Sequence, residues 1–390
     1  MSSLSSSQVP AGGSTGAFPL HKLPRDLVVE VVRQLDKMKC DPTNQDDDIS
    51  LVPLSMTCRL LRDVSVPFVF RVAQLTTAEH LLADHIESVE MKDEICRSIH
   101  VLSIYTEGPS ASRTPATFSQ IQGIRLPCEK SAARDLAFFI DSLPNLQELR
   151  LDFRFKAVMS LIKPLRRTLE LHEMDFTSIT ALSFPVATDL TFIATMFPNL
   201  RALSIEAPVN RTLNQIAGLR HVSRSFGAQL VYVQLCKMRW ERSDFRDIQR
   251  MFPHVTHLTI GGSMAFGGPP GRPTWDLRAA TKDIQSLRKL QVLAISDERS
   301  VTSLSPISPV HHRASIIASK LKPVIGFHND RSRRTDQAWG IIQNLPNLKV
   351  VYIVNRSFSG DCFVPIKDNH GVVIDLKTSE AFEEQVWPVA

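Results

Sequence analysis

Three short stretches of the chain carry residue types at spacings that can do chemistry. Gly12, Ser14 and Gly16 fit the G-x-S-x-G pattern of a serine nucleophile. That chemistry needs a buried strand before the serine and a helix after it, so that a strained turn exposes the hydroxyl. The flanks, Val9-Pro10-Ala11 and Ala17-Phe18-Pro19, supply neither, and the match reads as chance. Asn44, Asp46 and Asp48 alternate like calcium ligands. The glycine needed at the sixth position of such a loop is missing, and Ser55 stands where a bidentate glutamate belongs, so a solvated insertion is expected. Arg331, Arg333 and Arg334 lie together in HNDRSRR. Guanidinium forks match phosphate, so these arginines could receive a phosphorylated segment; a solvated loop is the alternative.

The remaining reactive residues do not converge in sequence. Cys40, Cys58, Cys96, Cys128, Cys236 and Cys362 form no C-x-x-C pair and no spaced Cys/His quartet, so neither a metal site nor a disulfide framework is expected. There is no H-E-x-x-H, no Walker loop and no dinucleotide-binding glycine fingerprint. The Gly/Pro-rich segment GGSMAFGGPPGRPTW (261–275) lacks the Lys-Ser/Thr ending of a phosphate loop. We therefore expect a non-catalytic protein without cofactor. Catalytic groups brought together only by folding would escape this reading.

The elements that must position any binding residues come from a chain of 390 residues, 43% hydrophobic and 22% charged, which is ample for a core. The net charge of +5 is scattered, without the basic stripe expected of a nucleic-acid binder. No apolar run approaches the ~20 residues of a membrane helix. The N-terminus lacks a basic start followed by an apolar stretch, so no secretion signal is read. A cytoplasmic or nuclear setting is expected. Residues 1–19, rich in Ser and Gly, read as a flexible tail.

After that tail comes LPRDLVVEVVRQLD. Pro24 suits a helix start, and Leu27, Val31 and Leu35 recur at helical spacing. Beyond the acidic loop, Leu51, Leu54, Cys58 and Leu61 fall at i, i+3, i+7 and i+10, which predicts one amphipathic helix with Pro53 in its first turn. The segment then runs through Arg59 and Arg62 to Pro67, Phe68, Phe70 and Arg71.

This order resembles the F-box: Leu23-Pro24, Leu27, Val31 and Leu35, then Leu51 and Leu54, then Cys58-Arg59 and Arg62. The P-x-x-F-R tail is similar to that of fungal F-box proteins. The likeness covers residues 20–75, with a longer acidic loop than usual and with Leu61 where many relatives carry tryptophan. It implies a small helical module that docks on a Skp-type adaptor and, through it, a cullin of a ubiquitin ligase. The implied contacts are Leu23, Pro24, Leu27, Val31, Leu54, Cys58 and Leu61. Burying six such side chains would contribute roughly 9–18 kcal/mol at ~1.5–3 each, against an association cost of ~4–15 kcal/mol. Most of the stripe must then engage. The alternative is that the same leucines form this chain's own core.

From about residue 95 a repeat begins. IHVLSI (99), IQGIRL (121), LQELRL (146), ITALSF (179), LRALSI (200), LVYVQL (230), VTHLTI (255), LQVLAI (290) and LKVVYI (348) share one template: apolar, two variable, apolar, one variable, apolar. A degenerate copy is read at LKPVIG (321) and a tenth unit at GVVIDL (371). Four copies follow a helical run ended by LP or FP, because a proline pushes the preceding residue out of the α region. One helix, one turn and one strand per unit is the signature of a leucine-rich-repeat solenoid. The expected fold is thus α/β: a small N-terminal helical F-box, then over 76–390 a solenoid with a curved parallel sheet, outer helices and long loop insertions. Irregular repeats of this kind are similar to those attached to fungal F-box proteins, and the asparagine ladder of regular repeats is not evident.

Within each strand the apolar template positions should face inward and the variable ones outward. The outward set includes Ser103, Tyr105, Arg150, Asp152, Ser204, Glu206, Gln234, Thr259 and Tyr352. This mixed polar face suits a protein target, and we take Tyr105, Arg150, Asp152, Glu206, Gln234 and Tyr352, with Arg331, Arg333 and Arg334, as candidate target contacts. The sequence thus predicts a substrate receptor of a ubiquitin ligase. A leucine-rich-repeat scaffold without a ligase role is the alternative.

Overall fold

In the computed structural model of the chain, the segment after Leu23-Pro24 forms helix α1 (Arg25–Lys39). The Pro24 carbonyl accepts the N–H groups of Leu27 (3.0 Å) and Val28 (3.2 Å), which starts the helix without using the N–H that proline lacks. The structure describes residues 23–39, 51–78, 93–107, 129–153, 164–185, 191–206, 226–236, 242–261, 287–296, 325–354 and 360–381, with residues 82, 84, 86, 219, 220, 223, 224 and 285 between them. The tail with its G-x-S-x-G match, the acidic loop, the IQGIRL copy and all but the first residue of the Gly/Pro-rich segment 261–275 lie outside them.

The stretch expected to be a single helix over Leu51–Leu61 is two: α2 (Leu51–Ser55) and α3 (Arg59–Val69). The break has a local cause. The hydroxyls of Ser55 and Thr57 donate back to the carbonyls of Val52 (2.7 Å) and Leu54 (2.8 Å), competing with helix continuation. Cys58 then takes an extended conformation (φ −153°, ψ 167°) and stands as the N-cap of α3 rather than inside a helix. Pro67 lies within α3, not beyond it. With α4 (Asp93–Ser98), these helices make one compact unit, the described residues up to Arg71. Its core is Val28, Val32, Leu51, Leu61 and Val64, and among the described residues the apolar side chains packed on that core come from residues 23–69.

The second unit begins at Val72, so residues 72–75 belong to its sheet and not to the helical module. Eleven strands stand in sequence order: β1 (Val72–Ala78), β2 (Val101–Glu107), β3 (Glu148–Phe153), β4 (Ala181–Pro185), β5 (Ala202–Glu206), β6 (Tyr232–Cys236), β7 (His257–Gly261), β8 (Val292–Ser296), β9 (Val350–Val354), β10 (Gly360–Lys367) and β11 (Val373–Ala381). β1 to β9 are parallel; β10 and β11 are antiparallel additions at the end. Eight template copies coincide with β2 to β9. The two supplementary copies read differently: Ile325-Gly326 of LKPVIG open a helix, and GVVIDL runs into β11, an antiparallel hairpin strand.

Register is kept by a repeated backbone device. The residue just before each strand offers one carbonyl to two successive N–H groups of the next unit. His100 accepts from Gln147 and Glu148, Gln147 from Thr180 and Ala181, and Thr180 from Arg201 and Ala202; the series continues to Gln291 with Lys349 and Val350. The prolines of LPNL and FPNL occupy the second position of turns closed by Leu146 N–H to Leu143 O (3.2 Å) and Leu200 N–H to Phe197 O (3.3 Å). Amide side chains next to these turns tie successive units together. Asn199 Nδ2 donates to Thr177 O (2.8 Å), Gln229 Nε2 to Pro198 O (2.8 Å) and Asn347 Nδ2 to Arg288 O (2.9 Å). This amide ladder replaces the regular asparagine ladder that the sequence lacks.

Helices α5 (Glu129–Asp141), α6 (Thr191–Met196), α7 (Arg242–Met251) and α8 (Ile325–Asn344) precede β3, β5, β7 and β9. Their apolar residues, such as Leu136, Ile193, Ile248 and Ile341, are fully buried, as are the inward row Leu102–Leu149–Leu182–Leu203 and the inward pairs Ile104–Leu151 and Phe184–Ile205. Inward and outward positions alternate along the strands as expected.

Candidate functional site

Two surfaces are built by these elements. The first is the outer side of α1. Val28 and Val32, one turn apart, are 1% and 0% exposed, whereas Leu27 and Val31, the residues just before them, are 53% and 38% exposed. An amphipathic helix needs one apolar stripe to hold its fold. This helix carries a second. Val52 on α2 and Met56 just after it are also exposed.

The seven expected docking residues therefore separate. Pro24, Leu27 and Val31 are exposed, and Leu23, Leu54 and Cys58 are half-buried against the unit's own core. Leu61 lies inside that core at 6% exposure. It offers little surface to a partner. The reason is the helix break, which puts Leu51 and Leu54 on one helix and Leu61 on another. The Arg62 side chain folds back, its Nε donating to Ser55 O (3.3 Å).

The second surface is the outward side of the sheet. Register places Ser103, Arg150, Ser183, Ser204, Gln234, Thr259, Ala294 and Tyr352 in one row across seven strand pairs. Tyr105 and Asp152 begin the next row, as does Glu206, whose side chain lies outside the described residues. The strand residues of the outward set thus share one face, but most are not solvated as expected. Ser103, Ser204, Gln234 and Thr259 are each 5% exposed or less. Asp152 is exposed, while Tyr105, Arg150 and Tyr352 are half-buried.

Arg150 is held by Glu148, two residues earlier on the same face, through an Nε–Oε1 contact of 2.5 Å. Farther along the sheet, Tyr232 stacks on His257 with ring centroids 4.1 Å apart, and Thr256 Oγ1 lies 2.7 Å from His257 Nδ1. Burial, helped by the nearby Lys349 ammonium, lowers the His257 pKa. At the end of the row the Tyr352 hydroxyl bonds to Cys362, which bonds to Ser379. Burial first, and then Cys362, pushes Tyr352 up to about 12, so it stays a neutral hydrogen-bonding phenol. Burial also raises Cys362, which disfavours its nucleophilic thiolate.

The arginine cluster is not a loop. It sits in the first half of α8, where Arg334 Nη1 donates to Asp361 Oδ2 at 2.9 Å and Arg331 Nε lies 3.7 Å from Asp361 Oδ1. Arg333 is on the same helix, with its side chain outside the described residues. Two of the three guanidiniums are thus engaged by a buried carboxylate, which leaves less for a phosphate. Neither Asp361 nor Glu148 was singled out from the sequence. For Asp361 the available signal was a carboxylate within a largely apolar strand.

A groove of about 660 Å³ runs beside the turns, lined by Thr177, Thr180, Asn199, Arg201, Gln229 and Val231. Its amides are already used by the ladder. Among the described residues, no three His, Cys, Asp or Glu side chains group as a metal site, and no helix is long and apolar enough to cross a membrane. No family model matches the chain, and no curated protein matches it.

Proposed function

We propose that the chain is a substrate receptor of the F-box type. In this reading, the helical unit binds a Skp-type adaptor, a cullin is recruited through it, and the outward sheet face of the leucine-rich-repeat array holds a protein target. The observation that carries the reading is the second apolar stripe of α1. Leu27 and Val31 are bare although the unit has a complete core of its own beneath Val28 and Val32. A helix that needed only to fold would place polar residues there.

The role is one of proximity. A receptor that holds a target near a transferred ubiquitin raises the effective concentration of the target's lysines, and no catalytic group of its own is required. The mixed surface of Asp152, Tyr105, Arg150 and Tyr352 suits a polypeptide, with aromatic contacts beside charged ones.

The test is direct titration of the full chain with a purified Skp-type adaptor. Stoichiometric binding is expected; absence of binding at micromolar concentrations overturns the reading. A scaffold without a ligase role is the second reading. It draws on Leu61, Leu54 and Cys58 serving the unit's own core.

A further inference from the structure

The last strand of the sheet ends in an open edge with a self-complementary sequence. β11 pairs with β10 on one side only, and among the described residues nothing pairs with its other side. Pro365 stands opposite Leu376. Proline has no N–H to give, so this is a position where the two strands exchange no hydrogen bonds, and Leu376 turns its N–H and carbonyl away from β10. By alternation Thr378 does the same, whereas Ile374 is the extra residue of a bulge and has no partner on β10. The Leu376 N–H is met there only by the carboxylate of the preceding residue, Asp375 Oδ1, at 2.7 Å. Ile374 on this strand is 60% exposed, and Val372 just before it 59%.

We propose that β11 is a homodimer contact, formed with β11 of a second copy running antiparallel about a twofold axis at Leu376. The charges select both the occupant and the register. With Leu376 opposite Leu376 of the partner, Asp375 faces Lys377 and Lys377 faces Asp375. Shifting the strands two residues one way sets Asp375 against Asp375; shifting the other way sets Lys377 against Lys377. The chosen register alone gives two opposite-charge pairs, at the non-hydrogen-bonded positions where side chains approach most closely. The two Leu376 residues, outward in their hydrogen bonding, become the central bonded pair. On the other side of the ribbon from these ion pairs, the two Leu376 side chains come together, each flanked by Thr378 of its own copy. Asp375 acts as an edge guard in the free chain and as an ion-pair partner in the dimer, releasing the Leu376 N–H as it turns to Lys377.

Sedimentation of the full chain over a range of concentrations tests this. A concentration-dependent dimer is expected. Lys377→Glu sets like charges opposite each other twice and should weaken association by about tenfold or more. The exchange Asp375→Lys with Lys377→Asp should restore it, which distinguishes lost pairing from damaged folding. The proposal is overturned if the wild type stays monomeric, if Lys377→Glu dimerises as the wild type does, or if the exchange fails to recover the dimer.

Discussion

Arg334 on α8 and Asp361 on β10, 27 residues apart, are joined by a 2.9 Å hydrogen bond in which Asp361 keeps only 11% of its side chain exposed. Asp361 occupies an inward position opposite Ile353, at the point where the sheet changes from parallel to antiparallel. The clamp docks the closing helix on the added hairpin. Removing one partner of a buried pair costs about 3–5 kcal/mol, because the other charge is left without compensation. Arg331, at 3.7 Å, offsets part of that loss for Asp361 when Arg334 is removed. Arg334→Met should therefore destabilise by about 2–3 kcal/mol and Asp361→Ala by more, about 3–5 kcal/mol, since Arg334, 17% exposed, then loses the carboxylate that compensates it. Urea unfolding of both variants checks the order.

Backbone crowding makes a second prediction. A Cβ on Gly227 would lie 2.2 Å from Met251 O and 2.5 Å from Ser223 O, and one on Gly360 would lie 2.2 Å from Ile353 O. Backbone atoms cannot swing aside as a side-chain tip can. Gly227→Ala and Gly360→Ala should each cost about 1–3 kcal/mol. At Gly371 a Cβ meets nothing, and the penalty there is conformational alone, because φ is +79°. Thermal unfolding should place Gly371→Asn nearest the wild type.

His257 gives stability a pH dependence. Its pKa is depressed by burial and then by Lys349. As pH falls through the ordinary histidine value of 6.5, the unfolded chain takes up the proton first and stability drops. The stabilising contribution is complete above that pH and is lost towards the lowered folded value. His257→Gln should flatten the part of the Tm–pH curve below pH 6.5. An unchanged slope would show that the ring is freely protonated in the folded chain.

The repeat was legible because three apolar positions per strand recur and prolines mark the turns. Leu149, Leu182, Leu203 and Leu258 are all fully buried as read. β1 was missed for a definable reason: Ala73 stands in register with Leu102, so the template's central leucine is absent there. The arginine clamp was illegible because HNDRSRR has a polar composition, and only the pairing of β10 brings Asp361 beneath it. Burial of Gln234 and Ser204 on the outward face was also beyond reach. Strand alternation tells which way a side chain points and says nothing of what shields it. At the N-terminus, apolar spacing found both Val28/Val32 and Leu27/Val31 on α1 but did not distinguish the stripe used for folding from the one left over.

That leftover stripe is the centre of the functional account, and one measurement addresses it. Leu27→Asp combined with Val31→Asp changes two exposed side chains and leaves the core of Val28, Val32, Leu51, Leu61 and Val64 intact. Calorimetric titration of the full-length double variant with a Skp-type adaptor should show affinity reduced about 100-fold or more, with Tm close to the wild type. Wild-type affinity in the folded double variant would contradict the account.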